Sequence, residues 1–301
     1  MRDYRIFEGL GMWLIRKVRP MYAKEDIPDV HLPSWEIFAI DSTTIPYSIK
    51  LAEWALGKYS KGGVKMHTVL DLRGSIPDSI YITDSRYHDS NYLDVYETYK
   101  WAIYTMNKAY VDLEALYRMT ENETYFVTRA KTPRKYEVVE TNYNINDLVG
   151  IVGDKTIRFT GYASRKKYPK DLRIVKFYDA EKEEVITFLT NNFELGPLVI
   201  ANIYHNRWQI ESFFKWIKGN LTIKALWGYS ENAVKIHLWV AISTYLLLAG
   251  VKAAIKSSLT ITEVSKVVGA SLLTKTDLRE LLDVPAPLTQ NQNVNELELN
   301  F

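Results

Sequence analysis

Short apolar runs rich in β-branched and aromatic residues fill the first half of the chain: Glu36–Ile40, Val64–Asp71, Ile76–Thr83, Ala102–Met106 and Tyr125–Thr128. Their lengths and alternation predict five strands. Between the third and fourth, Asp89–Lys100 spaces its apolar residues as a helix does. Val111–Thr120 does the same between the fourth and fifth, with Asp112 placed to cap it. The loop Asp71–Ser75 is short enough to make strands two and three a hairpin, whereas helical crossovers suit parallel pairing of the later strands. The pattern therefore predicts a mixed α/β sheet with an antiparallel hairpin at its start.

The pattern changes over 131–195. Strand-like pieces (Tyr136–Glu140, Thr156–Thr160, Arg173–Tyr178, Val185–Leu189) alternate there with polar turns, which predicts a β-rich insertion. After Gly196 and Pro197 the spacing turns helical, predicting one helix over Leu198–Gly219, a second over Ala233–Lys256 and a short one over Ser271–Asp283. Pro285–Phe301, rich in Pro, Asn and Gln, reads as loose. The expected divisions are a short N-terminal helical segment (1–34), a first core segment (35–130), the insertion (131–195), a helical second core segment (196–256) and a C-terminal helix with an acidic tail (257–301).

Composition narrows the class. With 301 residues, 47% of them hydrophobic, and no Cys, the chain is neither collagen-like, disordered nor stapled by disulfides. The absence of Cys agrees with a reducing compartment. Its net charge of +2 is uneven: Asp277, Glu280, Asp283, Glu296 and Glu298 face only Arg279 in the last 25 residues, a local −4 that leaves +6 for the rest. Met1–Pro20 lacks the apolar run of a secretory signal. The 16 uncharged residues Ile236–Val251 fall short of the roughly 20 that a membrane span needs, and read as a buried core helix. The expectation is a cytoplasmic protein without a membrane partner. No zinc pattern, phosphate-cradling loop or dinucleotide fingerprint is present.

Two places carry candidate chemistry. Asp41 follows the apolar run Ile37-Phe38-Ala39-Ile40, at the expected carboxyl end of a buried strand, where α/β sheets bind ligands; a turn-forming Asp is the plainer reading. On the helix after the insertion, Tyr204, Arg207, Glu211 and Lys218 lie within about 60° of one another and form a stripe roughly 21 Å long. A carboxylate between two cations is equally the mark of a solvated ion-paired face. Lys65 and His67 share a strand face, and His88-Asp89 reads as a polar turn or a supporting pair. Trp208, Phe213, Phe214, Trp216 and Trp239 sit at spacings that fit core packing.

The string YHNRWQIESFFKWIKGNL gives the stripe a more specific meaning, since Tyr204-x2-Arg207-x3-Glu211-x6-Lys218 matches the YREK signature of DDE transposases of the insertion-sequence-four family. Asp41 in IDSTTI matches the first acidic motif of that family. Further similarity runs through KMHTVLDLRGSIP, ITDSRYHD, AYVDLEALYRM and FVTRAK, so the resemblance covers roughly residues 35–255. It implies an RNase H-like mixed sheet flanked by helices, with a β-rich insertion between strand five and the Glu-bearing helix. It also implies metal-dependent cleavage of double-stranded DNA at transposon ends and strand transfer into target DNA, by a homodimer assembled on DNA and associated with the bacterial nucleoid. Two Mg2+ (or Mn2+) ions held by two Asp and one Glu are the cofactor of such a site, because hard cations about 3.5–4 Å apart need anionic oxygen ligands. Tyr204, Arg207 and Lys218 are then DNA-backbone contacts, with Arg129 and Lys131 beside them; the cluster Arg165-Lys166-Lys167, Lys170 and Arg173 is a further phosphate candidate.

The chain departs from that pattern at one position. The second Asp of the family ends strand four in a string like V-x-D-K/R-A/G-Y, and here the string is Tyr104-Thr105-Met106-Asn107-Lys108-Ala109-Tyr110. Asn107 takes the place of the Asp, so the implied set is Asp41, Asn107 and Glu211, with metal binding weakened and cleavage impaired. Asp84, Asp89 and Asp112 are nearby acids with ordinary readings as turns or caps. Two other classes share these residues: a DNA-binding chain without cleavage that acts as a self-inhibitor of transposition, and a glycoside hydrolase using Asp41 and Glu211 as paired carboxylates.

Overall fold

The computed structural model describes residues 3–47, 62–130, 135–143, 150–220, 230–274 and 277–282. The chain divides into two compact units, one through Leu246 and one from Leu247 onward. The first opens with helix α1 (Tyr4–Val18), capped by the Asp3 carboxylate on the Arg5 N–H. Gly11 lets this helix close on Trp239, because a Cβ there would sit 2.6 Å from the indole ring.

Five strands follow: β1 (Ile37–Tyr47), β2 (Gly62–Asp71), β3 (Ile76–Asp84), β4 (Ile103–Met106) and β5 (Tyr125–Arg129). They lie side by side in the order β3-β2-β1-β4-β5. β1 pairs antiparallel with β2 and parallel with β4, and β4 pairs parallel with β5. This is the RNase H-like arrangement of a mixed sheet. The β2–β3 hairpin forms as expected, with Gly74 at φ +70° in its loop pressed against the Tyr22 ring. Helix α2 (Leu113–Glu121) connects β4 to β5, and Asp112 caps it by accepting from the Glu114 and Ala115 N–H groups.

Three expected helices are corrected. The predicted helix over Asp89–Lys100 is a short 3-10 helix, Asp89–Asp94, followed by irregular chain. Its tyrosines lie against β3 instead: Tyr92 donates to Ser79, while Tyr96 and Tyr99 donate to Asp78. These contacts override a run of Val, Thr and Tyr with modest helix propensity. The β-rich insertion extends the same sheet. β6 (Tyr136–Thr141), β7 (Ile151–Phe159), β8 (Leu172–Asp179) and β9 (Glu184–Thr190) join through an antiparallel β5–β9 pair, giving a nine-stranded sheet among the described residues. Between β7 and β8 lies the short helix α3 (Tyr162–Lys167), which buries none of its residues.

Secondly, the helix expected over Leu198–Gly219 is two, α4 (Pro197–Asn206) and α5 (Trp208–Asn220), broken at Arg207. The Arg207 and Ile210 N–H groups bond three residues back, to Tyr204 and Arg207, tightening the chain at the break. The break shifts the phase of α5, so Trp208 is 49% exposed rather than in the core, whereas Phe213, Phe214, Trp216 and Trp239 are buried as expected. Lastly, α7 (Ile261–Ser271), closed by a Thr260/Glu263 capping box, precedes the short α8 (Leu278–Leu282); only a single helix over Ser271–Asp283 was expected.

Helix α6 (Glu231–Ile255) is long and apolar enough to cross a membrane by length and composition, and half of its most apolar window is buried. Within the first unit Val234, Leu238, Trp239, Ile242, Tyr245 and Leu246 are buried, as a core helix requires. On one face of the sheet Phe38, Ile40, Tyr104, Met106 and Phe126 pack under Tyr92, Tyr110, Leu113 and Leu116. Residues of opposite parity on β1 face the other side, where α4 and α5 lie.

Candidate active site

Asp41 was expected to end its strand. Instead β1 runs on to Tyr47, because Ser42–Tyr47 keep pairing with β2 and the β-branched Thr43, Thr44 and Ile45 suit the pleat. The parallel pairing with β4, however, stops at Ile40 and Met106. Asp41 and Asn107 therefore leave the paired region together, side by side, on the face toward α4 and α5.

There the two side chains meet. Asn107 Nδ2 donates to Asp41 Oδ1 at 2.8 Å, and the Ser42 N–H donates to the same oxygen at 2.8 Å. Arg207, at the break between α4 and α5, donates through Nη1 to Asp41 Oδ2 at 3.0 Å and through Nη2 to Glu211 Oε1 at 2.7 Å. One guanidinium thus bridges two carboxylates. The Arg207 side chain is 15% exposed and that of Glu211 59%, so the bridge runs from the interior to the surface. Burial pushes the Asp41 carboxyl up to about 6, against the lowering effect of the Ser42 N–H and Arg207.

Asn107 is held from its other end as well. Its Oδ1 accepts from the Ala109 N–H at 2.7 Å and caps the 3-10 turn Lys108–Tyr110. Tyr204 lies under the same cation, with the Arg207 guanidinium 5.6 Å from its ring centre and the Phe188 ring 4.9 Å away. Lys218 is exposed and makes no ion pair among the described residues; partial burial lowers its pKa.

The remaining candidates separate. Arg129 pairs with Glu184 at 3.1 Å, and Lys131 lies outside the described residues. Arg173, expected as a phosphate contact, is buried and gripped on two sides by Asp154 at 2.8 Å, with its third nitrogen on the Asn192 and Leu195 carbonyls; it holds the insertion together. Lys167 and Lys170 pair with Glu114 and Glu121 of α2, leaving Arg165 and Lys166 exposed on α3.

His67 and Lys65 face away from Asp41, since their partners across the pair are Ser42 and Thr44. On that side Ser42 Oγ donates to Asp89 at 2.6 Å and Lys65 reaches the same oxygen at 3.1 Å. Buried His67 bonds Thr83, and burial lowers its pKa to about 4. Sequence reasoning missed this network, although the alternation of Asp41 and Ser42 was a usable signal for two opposed faces. Asp84 closes a turn on Arg86 and Asp112 caps α2, as their plainer readings had it.

The donor set does not fit a pair of divalent ions. Among the described residues no three acidic or His side chains gather as a metal group, both Asp41 oxygens are engaged by N–H donors, and the Asn107 oxygen is turned to Ala109.

Residues 34–247 match the family model described as the transposase DDE domain, whose members generally use divalent metal ions. A chain of Sinorhizobium fredii designated transposase y4zB is 33% identical over 212 residues, which are 69% of this chain and 59% of that one. Similar matches reach the transposase designated for insertion sequence element IS5377 of Geobacillus stearothermophilus (30% identity, 69% of this chain, 55% of that one) and that for IS4SA of a Synechocystis strain (30%, 71% and 59%). The chain thus spans between 55% and 59% of the length of these relatives. The solved piggyBac transposase synaptic complex with hairpin DNA aligns over 87% of this chain and 60% of that one at a TM-score of 0.44 and 10% identity.

Proposed function

Because this chain belongs to the family of DDE transposase domains, we propose that it is the DNA-handling core of an insertion-sequence transposase whose strand cleavage is lost or strongly reduced. The observation that carries this reading is the convergence of Asp41 and Glu211, from β1 and α5, on a single guanidinium, with Asn107 where a third carboxylate belongs. In this reading residues 35–130 and 196–256 form the core around the insertion 131–195. Tyr204-x2-Arg207-x3-Glu211-x6-Lys218 is then a YREK signature whose Tyr204, Arg207 and Lys218, with Arg129 and Lys131, contact the phosphate backbone of transposon-end and target DNA. The chain acts as a homodimer on that DNA, at the nucleoid.

The residues supply a definite chemistry. Arg207 compensates the charge of Asp41 and Glu211 and fixes their spacing. Asn107 orients Asp41 without adding a negative charge. Activating water for hydrolysis of a phosphodiester would need a third anionic ligand for a second ion, and this set lacks it. Asn107 therefore favours the form of the reading in which the chain binds element ends without cutting them and competes with active copies.

Two assays on the full chain test this. Binding of a labelled duplex, measured against salt, must show the falling affinity that phosphate contacts produce. Nicking of the same duplex with magnesium must be absent from the unaltered chain. A chain that ignores duplex DNA, or nicks it readily, contradicts the proposal.

A further inference from the structure

We infer that Asn107 and Arg207 replace the divalent cation in this chain, so that the Asp41–Glu211 site is assembled and charge-balanced by its own side chains and takes no metal. The identity of Asp41 and Glu211 as the carboxylates of the family's site rests on the proposed function; the exclusion of metal rests on the hydrogen bonding around them.

The orientation of the Asn107 amide decides the matter. The Ala109 N–H, 2.7 Å away, can only be met by an oxygen, and Asp41 Oδ1, 2.8 Å away, can only be met by an N–H. Turning the amide over would set donor against donor at one end and acceptor against acceptor at the other. The group that faces Asp41 is thus locked as a donor. A cation shared with Asp41 would require the oxygen there instead, at the cost of the cap on the Lys108–Tyr110 turn.

Arg207 completes the substitution. Its two terminal nitrogens reach the two carboxylates from one planar group, at 3.0 and 2.7 Å, a geometry suited to a fork of N–H donors. With Asn at 107 the site holds two negative charges and one positive, so a single guanidinium leaves one charge, and that charge lies at exposed Glu211. With Asp at 107 a second carboxylate oxygen would stand against Asp41 Oδ1, and one guanidinium would no longer suffice. Asn107 and the Arg207 bridge are therefore matched to each other.

The test is manganese binding by the full chain, followed by electron paramagnetic resonance of the free ion and by thermal unfolding in EDTA or in 10 mM Mn2+. The unaltered chain is expected to bind no more Mn2+ than Asp41→Asn, with an unchanged Tm. Asn107→Asp is expected to have a lower Tm in EDTA, to gain a binding site and to recover several degrees with Mn2+. Should Asn107→Asp not fold in EDTA, its folding when refolded in 10 mM Mn2+ carries the same expectation. Unaltered protein that binds Mn2+ and loses that binding in Asp41→Asn overturns the inference, and so does an Asn107→Asp chain that gains neither Mn2+ binding nor stability from Mn2+. Failure of the chain to bind duplex DNA would topple the functional reading and leave these metal results standing.

Discussion

The side-chain amide of Asn107 donates to Asp41 Oδ1 across 2.8 Å while its oxygen caps the turn that begins at Lys108. The residue thus ties the end of β4 to β1 through one planar group. Asn107→Ala removes a cap and leaves a buried carboxylate one donor short. The expected loss is about 1–3 kcal/mol of unfolding free energy by urea titration. Asn107→Asp keeps the cap oxygen and loses the donor, so it is expected to be destabilised more at neutral than at acidic pH, because two carboxylates then face each other.

Asp41 sets a pH dependence of its own. Burial raises its pKa from 3.8 to about 6 in the folded chain, so the folded state binds the proton more tightly than the unfolded state does. Stability from this group is full below pH 4 and is lost as pH rises through 6. Asp41→Asn removes that loss. Its unfolding free energy relative to the unaltered chain is therefore expected to improve between pH 4.5 and pH 7, by on the order of 1–3 kcal/mol. A difference that stays constant across that range counts against the folded environment described for Asp41.

Arg173 and Asp154 hold the insertion by a buried pair with two parallel bonds at 2.8 Å. Burial pushes the Asp154 carboxyl up, but the bonds from Arg173 and Asn142 hold it below its ordinary value. Arg173→Ala strands that carboxylate, and a loss of about 3–5 kcal/mol is expected. Arg165→Ala, on the exposed face of α3, is expected to stay within about 0.5 kcal/mol of the unaltered chain.

These neighbouring cations show which parts were legible in the sequence. Charge alone grouped Arg165, Lys166, Lys167, Lys170 and Arg173, but pairing with Asp154 depends on the β7–β8 register, a tertiary fact that no local pattern encodes. The same limit hid the joining of the insertion to β5, since β9 lies far along the chain. Strands β1 to β5 and the Asp112 cap were legible, because period and caps are local, whereas the grouping of Asp41 with Asn107 came from the family resemblance and not from any local pattern. The break at Arg207 was not legible. The apolar spacing of Leu198–Gly219 reads as one helix, and only the tertiary bond to Asp41 gives Arg207 a reason to stand where the helix is interrupted.

For DNA contact, Lys218 and the exposed Arg165 and Lys166 differ from Arg207 in having no carboxylate partner among the described residues. Lys218→Ala is expected to weaken duplex binding uniformly across sequences. It should also lower the slope of log affinity against log salt by about one, as loss of one phosphate contact does. An unchanged slope removes Lys218 from the DNA surface.

Under the proposed function, residue 107 decides whether this site can cut. Nicking of a supercoiled plasmid carrying the element's flanking repeats, in manganese, compares the unaltered chain with Asn107→Asp directly. The unaltered chain is expected to show no nicking above background and the variant a gain of about 100-fold or more, the scale of restoring one key electrostatic group. Nicking by the unaltered chain at the same rate as Asn107→Asp would show that residue 107 does not control cleavage.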